Sequence, residues 1–162
     1  MKVRIAAALA LTAASSLHAQ TATTSAPAVA PAAIDLSTAP PIEGSWAYST
    51  QTGGSEAAFV NASNQPQIAI TCARATRQVT ISRAATGAAA FIVVWTSAQT
   101  RNLPASYNPA TARLSATVGA YDPLLDAMAF SRGRVGFSAL NMPTLVVPAW
   151  AEAARVVEDC RA

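Results

Sequence analysis

Lysine and histidine are nearly missing from this sequence of 162 residues. Each occurs once, as Lys2 and His18, close to the N-terminus. Ser-His-Asp triads, Cys-His and Ser-Lys dyads, Schiff-base enzymes and histidine-ligated zinc sites all need one of these side chains. Glycine-rich phosphate loops and the Gly-x-Ser-x-Gly elbow of many hydrolases are missing as well. A chain that loses its first 19 residues can therefore perform none of these chemistries.

Apolar runs long enough to cross a membrane are also missing. The run from Ile5 to Ala14 has ten residues, whereas a helical span needs about 20. This run follows two cations and precedes small residues that end at Ala19, which is the order typical of a secretory signal peptide. We predict a signal peptide over residues 1–19, cleavage after Ala19, and a periplasmic or secreted protein.

Charged residues make up only 12% of the sequence. Without the predicted signal peptide, nine arginines face eight acidic residues, and the net charge falls from +3 to +1. The arginines are scattered from Arg74 to Arg161 and do not form the basic stripe that binding to nucleic acid or to an anionic membrane requires. We therefore expect no nucleic-acid partner, and no motif in the sequence indicates a cofactor.

Only two cysteines occur, Cys72 and Cys160, and 88 positions separate them. Two thiols are too few for a metal site when no histidine remains. In an exported protein such a pair normally forms a disulfide, and the loop-closure model assigns it a stabilisation of about 4–5 kcal/mol. The alternative is two buried free thiols. The sequence predicts the disulfide and no metal site.

The segment between the signal peptide and Gly44 consists mostly of Ala, Thr, Ser and Pro. Four prolines within residues 20–43 oppose regular structure, so we predict a disordered Ala/Pro/Thr-rich tether there. The rest of the chain, residues 44–162, is long enough to bury one hydrophobic core. We expect a single β-rich α+β domain over this range.

Short alternating or apolar segments, separated by turn residues, indicate β-strands throughout this domain. They begin near Trp46, Glu56, Ile68, Gln78, Phe91, Arg113, Arg134 and Thr144. The segment Phe91–Thr96 is apolar on both faces, which is typical of a central strand that is covered on both sides. We predict an α+β fold built on an antiparallel β-sandwich or strongly curved sheet of about 7–8 strands.

Two helices are predicted in the second half of the chain. The pair Asp122-Pro123 supplies an N-cap and a first-turn proline, and it predicts a short internal helix over about 123–131, before Gly133. Residues 149–161 place apolar side chains along one stripe and predict a C-terminal amphipathic helix. The predicted disulfide would join the end of this helix to the third strand.

Four features occur in an order found in other proteins. They are Trp46 at the start of the domain, Cys72 on an early strand, the helical segment 122–134 and the closing Glu-Asp-Cys-Arg at 158–161. In this order the chain resembles uncharacterised exported proteins of Gram-negative bacteria. More distantly it resembles the invasion-associated locus B family and a small periplasmic accessory protein of type VI secretion clusters. The resemblance implies a small β-rich domain with an envelope role, although Asn141 stands where those proteins usually have glycine.

Paired carboxylates remain as a catalytic possibility. Asp122 and Asp126 lie four residues apart, which is one turn of a helix, and such a pair could serve a hydrolase acting on cell-envelope sugar or peptidoglycan. Structural roles compete with this interpretation, because Asp122 suits an N-cap and Asp126 lies in the first helical turns, where the helix dipole favours an acid. We name no catalytic residue.

Arg132 and Arg134 flank Gly133, at the point where the predicted helix gives way to a strand. A glycine lets the backbone turn tightly, so both guanidinium groups could reach one point and bind the carboxylate or phosphate of an acidic partner. The alternative is that both cations complement the C-terminal end of the helix. We treat the two arginines as the candidate binding residues for an acidic partner.

The three tryptophans, Trp46, Trp95 and Trp150, fall on inward positions of their predicted elements, so we expect core packing rather than stacking on sugars. The sequence as a whole predicts a non-enzymatic envelope protein that acts as a small binding module, with another envelope protein as its partner. The alternatives are a carboxylate-dependent hydrolase and a chiefly structural protein.

Overall fold

The computed structural model of the protein describes residues 34–162. The predicted signal peptide, 1–19, and the tether residues 20–33 lie outside the described residues. The strands are β1 (Ser45–Gln51), β2 (Gly54–Val60), β3 (Pro66–Ala73), β4 (Gln78–Ala84), β5 (Phe91–Trp95), β6 (Thr100–Pro104), β7 (Ser106–Asn108), β8 (Arg113–Gly119), β9 (Arg134–Ser138) and β10 (Leu145–Pro148). The helices are α1 (Pro123–Ala129) and α2 (Ala151–Arg161), with a 3-10 turn at Arg74–Thr76.

The strands form two antiparallel sheets, which confirms the predicted α+β class. The larger sheet has the order β1-β2-β3-β4-β8-β7, and the smaller has the order β10-β9-β5-β6. The first hairpin turns through Thr52 and Gly53, where Gly53 adopts a φ of +81° that favours glycine.

No helix within the described residues is long and apolar enough to cross a membrane.

Alternation along the strands decides which face of the larger sheet is buried. Ile68 and Ile70 of β3 and Val79 and Ile81 of β4 point inward. Thr71 and Thr80, the residues next to Ile70 and Val79, lie on the opposite face. The inner face is covered by α2, which contacts β1 to β4, and by the smaller sheet, whose strands β5 and β6 contact β8. One continuous hydrophobic core therefore lies between the larger sheet, the smaller sheet and α2.

β5 lies inside the smaller sheet, between β9 and β6. Its residues Ile92 and Val94 face the core, and Val93 on the opposite face is buried as well. This agrees with the prediction of a strand covered on both sides. The sequence pattern missed β6 and β7, because these edge strands hold a single buried apolar residue, Leu103, which is too few to show a period of two.

The two helices follow the predicted signals closely. The side chain of Asp122 accepts a hydrogen bond from the N–H of Leu124 and caps α1, which ends at Ala129 rather than near residue 131. The chain then turns into β9 through Gly133, whose φ is +74°. Helix α2 begins at Ala151, one residue after the N-cap position occupied by Trp150.

Residues 34–43, which the composition assigned to the tether, contact the smaller sheet. Nη1 of Arg134 donates to the carbonyl oxygens of Leu36 at 3.0 Å and Ser37 at 2.8 Å. The N–H of Ile42 donates to a carbonyl oxygen of β10 at 2.8 Å. These bonds hold the segment along the outer face of the smaller sheet.

Apolar contacts add to this attachment. A β-carbon on Gly136 would come within 2.7 Å of Cδ1 of Ile34 and 3.3 Å of Cδ2 of Leu36, so both side chains pack directly over this glycine of β9. Contacts with the domain therefore begin well before Gly44, where the sequence placed the boundary. Prolines exclude regular structure from this segment, but they do not prevent an irregular segment from packing.

Candidate functional site

Cys72 on β3 and Cys160 on α2 form a disulfide, with their Cα atoms 5.5 Å apart. The predicted pairing is thereby confirmed, and no free cysteine occurs in residues 34–162. Because both sulfurs are buried, the bridge has a structural role and does not present a reactive thiol. It fastens the C-terminal end of α2 to the inner face of the larger sheet.

Three charged residues of α2 also have structural partners. The hydroxyl of Tyr48 on β1 donates to Oδ2 of Asp159 at 2.6 Å, and the guanidinium of Arg155 lies 4.1 Å from the centre of the Tyr48 ring. Nε of Arg161 donates to the carbonyl oxygen of Ala120 at 2.8 Å. These contacts hold α2 against β1 and against the chain that leads into α1.

The two acidic residues of α1 are separately engaged and do not act as a pair. Arg101 forms an ion pair with Asp122, and Nη1 of Arg161 lies 2.8 Å from Oδ1 of Asp126. Burial by itself would raise the pKa of Asp122, but the hydrogen bonds from Arg101 and from the N–H of Leu124 outweigh burial and hold that pKa below its usual value.

A general acid needs a raised pKa so that it is protonated at neutral pH. The environment of Asp122 has the opposite effect and favours the charged carboxylate. The geometry therefore gives Asp122 a capping role, which is the structural alternative to catalysis that the sequence offered. Within residues 34–162, no three metal-ligating side chains lie close enough together to hold an ion.

Arg132 and Arg134 have different surroundings. The guanidinium of Arg134 is half-buried and donates to two carbonyl oxygens of the chain itself, those of Leu36 and Ser37. Arg132 is exposed, and its backbone N–H donates to Oγ of Ser97 at 3.0 Å. Arg134 thus has a structural partner that the sequence did not predict, while the side chain of Arg132 points to the surface.

The three tryptophans do not share one environment. Trp46 is buried and donates from Nε1 to the carbonyl oxygen of Pro148 at 2.8 Å, and Trp95 is half-buried and donates to Oγ of Ser138 at 2.8 Å. Trp150 is 48% exposed, so the inward position predicted for it is wrong. It occupies the N-cap of α2 with an extended backbone, and therefore lies outside the helical stripe that the prediction used.

Phe130 is the most exposed large apolar residue of the described chain, with 82% of its surface accessible. It follows the last residue of α1, and Trp150 precedes the first residue of α2. Ala129 and Trp150 line the same small pocket, of about 20 Å³, between the two helices and the sheets. We call Phe130, Trp150 and this pocket the aromatic surface.

Among the residues that the structure describes, those lining the pocket of the aromatic surface are all apolar, including Met128 of α1 and Val157 of α2. Phe130 was not predicted as a functional residue, although the sequence holds one signal for it. The buried stripe of α1 is formed by Leu124, Leu125 and Met128, and Phe130 falls outside that stripe. A large aromatic residue in such a position has no core to enter.

A buried arginine was also missed. Arg83 on β4 is only 2% exposed, and its guanidinium donates to three carbonyl oxygens: from Nη1 to Phe137 at 2.9 Å, from Nη2 to Pro143 at 2.9 Å and from Nε to Ala84 at 3.2 Å. Burial lowers the pKa of Arg83 to about 10. The signal was its position, since Val79, Ile81 and Arg83 alternate on the inward face.

No known protein-family model matches this sequence, and neither a curated protein nor a solved structure shows significant similarity to it.

Proposed function

We propose that this protein is a non-enzymatic binding module of the bacterial cell envelope, which holds a partner protein on the aromatic surface. The predicted signal peptide and the Cys72–Cys160 disulfide support a place outside the cytoplasm, where disulfides persist. The resemblance to exported proteins of Gram-negative bacteria supports the envelope. The engaged carboxylates Asp122 and Asp126 favour binding over hydrolysis.

The exposure of Phe130 is the observation that carries this proposal. An aromatic side chain with 82% of its surface in water gains much more from burial against a partner than it contributes to the free protein. Trp150, 48% exposed, lines the pocket that is also lined by Ala129, the residue before Phe130. Aromatic side chains of this kind often provide most of the binding energy at protein interfaces.

The pocket indicates the chemistry of the partner. A sugar would need hydrogen-bonding groups beside the aromatic rings, whereas every residue that lines this pocket is apolar. The neighbouring residues Ala129, Ala153 and Ala154 are small and leave a shallow surface. An aliphatic side chain of a folded partner protein fits such a surface beside Trp150, and Phe130 directly follows the lining residue Ala129.

Site-specific photocrosslinking in the bacterial envelope tests this proposal. A photoreactive phenylalanine analogue placed at position 130 should give a discrete adduct with one other protein. The same analogue at Thr117, an exposed residue on the outer face of the larger sheet, is the matched control and should give none. Trp150→Ser should greatly reduce the adduct formed at position 130 while leaving the melting temperature unchanged.

Three outcomes would overturn the proposal. They are the absence of any adduct at position 130, equal adducts at positions 130 and 117, and an adduct that contains only a second copy of this chain. Crosslinking of two differently tagged copies distinguishes the last case from a complex with another protein.

A further inference from the structure

Arg83 lines an open pocket of about 280 Å³. Leu145, the first residue of β10, also lines it, whereas Val147 and Pro148 at the other end of that strand line the pocket of the aromatic surface. The pocket lies where the ends of β4 and β10 meet the loops before β8 and β10. Its walls include Ala85, Ala112, Met142 and Leu145. Gln67 and Thr86 are the uncharged polar residues that line it.

Within residues 34–162, the charge of Arg83 has no opposite charge beside it. The atoms of this part of the chain that accept its hydrogen bonds are all backbone carbonyl oxygens, and none of its acidic residues lines the pocket. The two ion pairs formed within residues 34–162 involve Arg101 and Arg161. A buried cation without an anion is unusual, since buried charges are normally paired.

The hydrogen-bonding capacity of Arg83 is also incompletely used. A guanidinium group carries five N–H donors, and three of them reach acceptors in the described chain, one from each nitrogen. One N–H on Nη1 and one on Nη2 therefore remain for a further acceptor. Donors on the terminal nitrogens of a guanidinium are groups that bind carboxylate oxygens.

We propose that this pocket binds a small monocarboxylic acid with an apolar body, whose carboxylate pairs with Arg83. The single positive charge matches a single negative charge, whereas a phosphate dianion would leave one charge unpaired among apolar walls. The side chains of Ala85, Met142 and Leu145 provide the surface for the apolar body. This site does not depend on the aromatic surface, so either proposal can fail without the other.

Titration of the exported, oxidised protein with sodium hexanoate tests the proposal, with amide chemical shifts as the readout. Hexanamide has the same shape without the charge, and inorganic phosphate has the charge without the apolar body. Hexanoate should shift the amide signals of Ala85, Thr86 and Ala112 in a saturable manner. It should bind at least about tenfold more tightly than either control compound.

Two variants and one control locate the site. Arg83→Gln removes the charge. Thr86→Trp fills the mouth of the pocket without altering Arg83, and it tests hexanoate binding at this pocket even if the first variant does not fold. Both should weaken hexanoate binding by about tenfold or more. Thr52→Trp places the same side chain at the exposed turn between β1 and β2 and should leave binding unchanged.

Three results would overturn the proposal. The first is the absence of saturable shifts with hexanoate. The second is binding of hexanamide or phosphate as tight as that of hexanoate. The third is a Thr86→Trp variant that binds hexanoate as well as the Thr52→Trp control does.

Discussion

The hydroxyl of Tyr48 donates a hydrogen bond of 2.6 Å to the carboxylate of Asp159, across 111 positions of sequence. The bond joins the edge strand β1 to the last turn of α2. The neighbouring residue, Cys160, is bound covalently to β3. Helix α2 is therefore fixed at its C-terminal end to two strands, and this attachment holds Trp150 at the other end of the helix beside the pocket of the aromatic surface.

Replacing Tyr48 with phenylalanine should lower the free energy of unfolding by about 1 kcal/mol near neutral pH, because a partly exposed charged acceptor loses its donor. The Tyr48 hydroxyl is the main cause that lowers the pKa of Asp159. The stabilisation is thus present above the unfolded-state pKa of about 3.9, and it is lost as the pH falls through the lower folded-state pKa.

Urea unfolding of the Tyr48→Phe variant and the parent protein, at about pH 7 and about pH 2, measures this effect. The difference between them should shrink toward zero at the lower pH. Tyr107→Phe is the matched control, since Tyr107 lies on β7 at the opposite edge of the larger sheet. A difference that persists unchanged at low pH would show that Asp159 is not the source of the stabilisation.

Loss of the disulfide should have the largest effect of any single change considered. Cys160→Ser opens a covalent loop with a sequence separation of 88, for which the loop-closure model gives about 4–5 kcal/mol. Guanidinium unfolding should show a loss of this size, while circular dichroism shows similar secondary structure. Cys72→Ser should match it, because both variants lose the same bond. Thiol labelling of the unreduced parent protein should find no free cysteine. Two labelled cysteines per chain would contradict the predicted disulfide.

Substitutions at Asp122 separate its cap from its ion pair with Arg101. Asp122→Ala removes both and should cost about 1–2 kcal/mol in unfolding free energy. Asp122→Asn should cost less than half as much, because asparagine is also a good N-cap. Asp126, whose side chain is 49% exposed, is the control, and its change to asparagine should cost less than about 0.5 kcal/mol.

The same variants test the hydrolase alternative. A hydrolase would cleave an envelope sugar or peptidoglycan. If the double variant Asp122→Asn, Asp126→Asn loses that activity but keeps its melting temperature, the carboxylates are catalytic. We expect instead that the double variant melts at a lower temperature and that no such activity is present to lose.

Arg134 and Arg132 should respond differently to the same substitution. Arg134→Met removes the donor to Leu36 and Ser37, so the amide of Ile42 should exchange with solvent about tenfold faster, as measured by hydrogen exchange. Arg132→Met should leave that rate unchanged. Equal rates in the two variants would contradict the structural role of Arg134. A loss of partner binding in both variants would support the acidic-partner site predicted from the sequence.

Much of the fold could be predicted because its signals are local. The strand of Ile68, Ile70 and Cys72 shows alternation over a few residues, and Asp122 caps α1 through an N–H two residues away. Strands β6 and β7 could not be predicted, since edge strands expose most of their side chains and carry little periodicity. Pairing with β5 and β8, rather than their own composition, makes them strands.

The candidate sites were less predictable than the fold. Trp150 lies where a helical stripe would place it inward, yet the helix begins one residue later and leaves the ring exposed. Phe130 and Arg83 were not singled out, because exposure and burial depend on what packs against a residue. Arg134 donates hydrogen bonds to Leu36 and Ser37, which lie in a segment predicted to be disordered from its composition.

The sequence by itself determined the alternation of the strands, the cap of α1 and, since only two cysteines exist, that a disulfide within the chain could join only Cys72 and Cys160. These features follow from neighbouring residues or from simple counting. Only the tertiary structure decided that Arg83 is buried against Phe137, 54 positions away, and that Arg134 holds Leu36, 98 positions away. Backbone preference acts over a few residues, whereas burial and charge pairing arise only when distant segments exclude water between them.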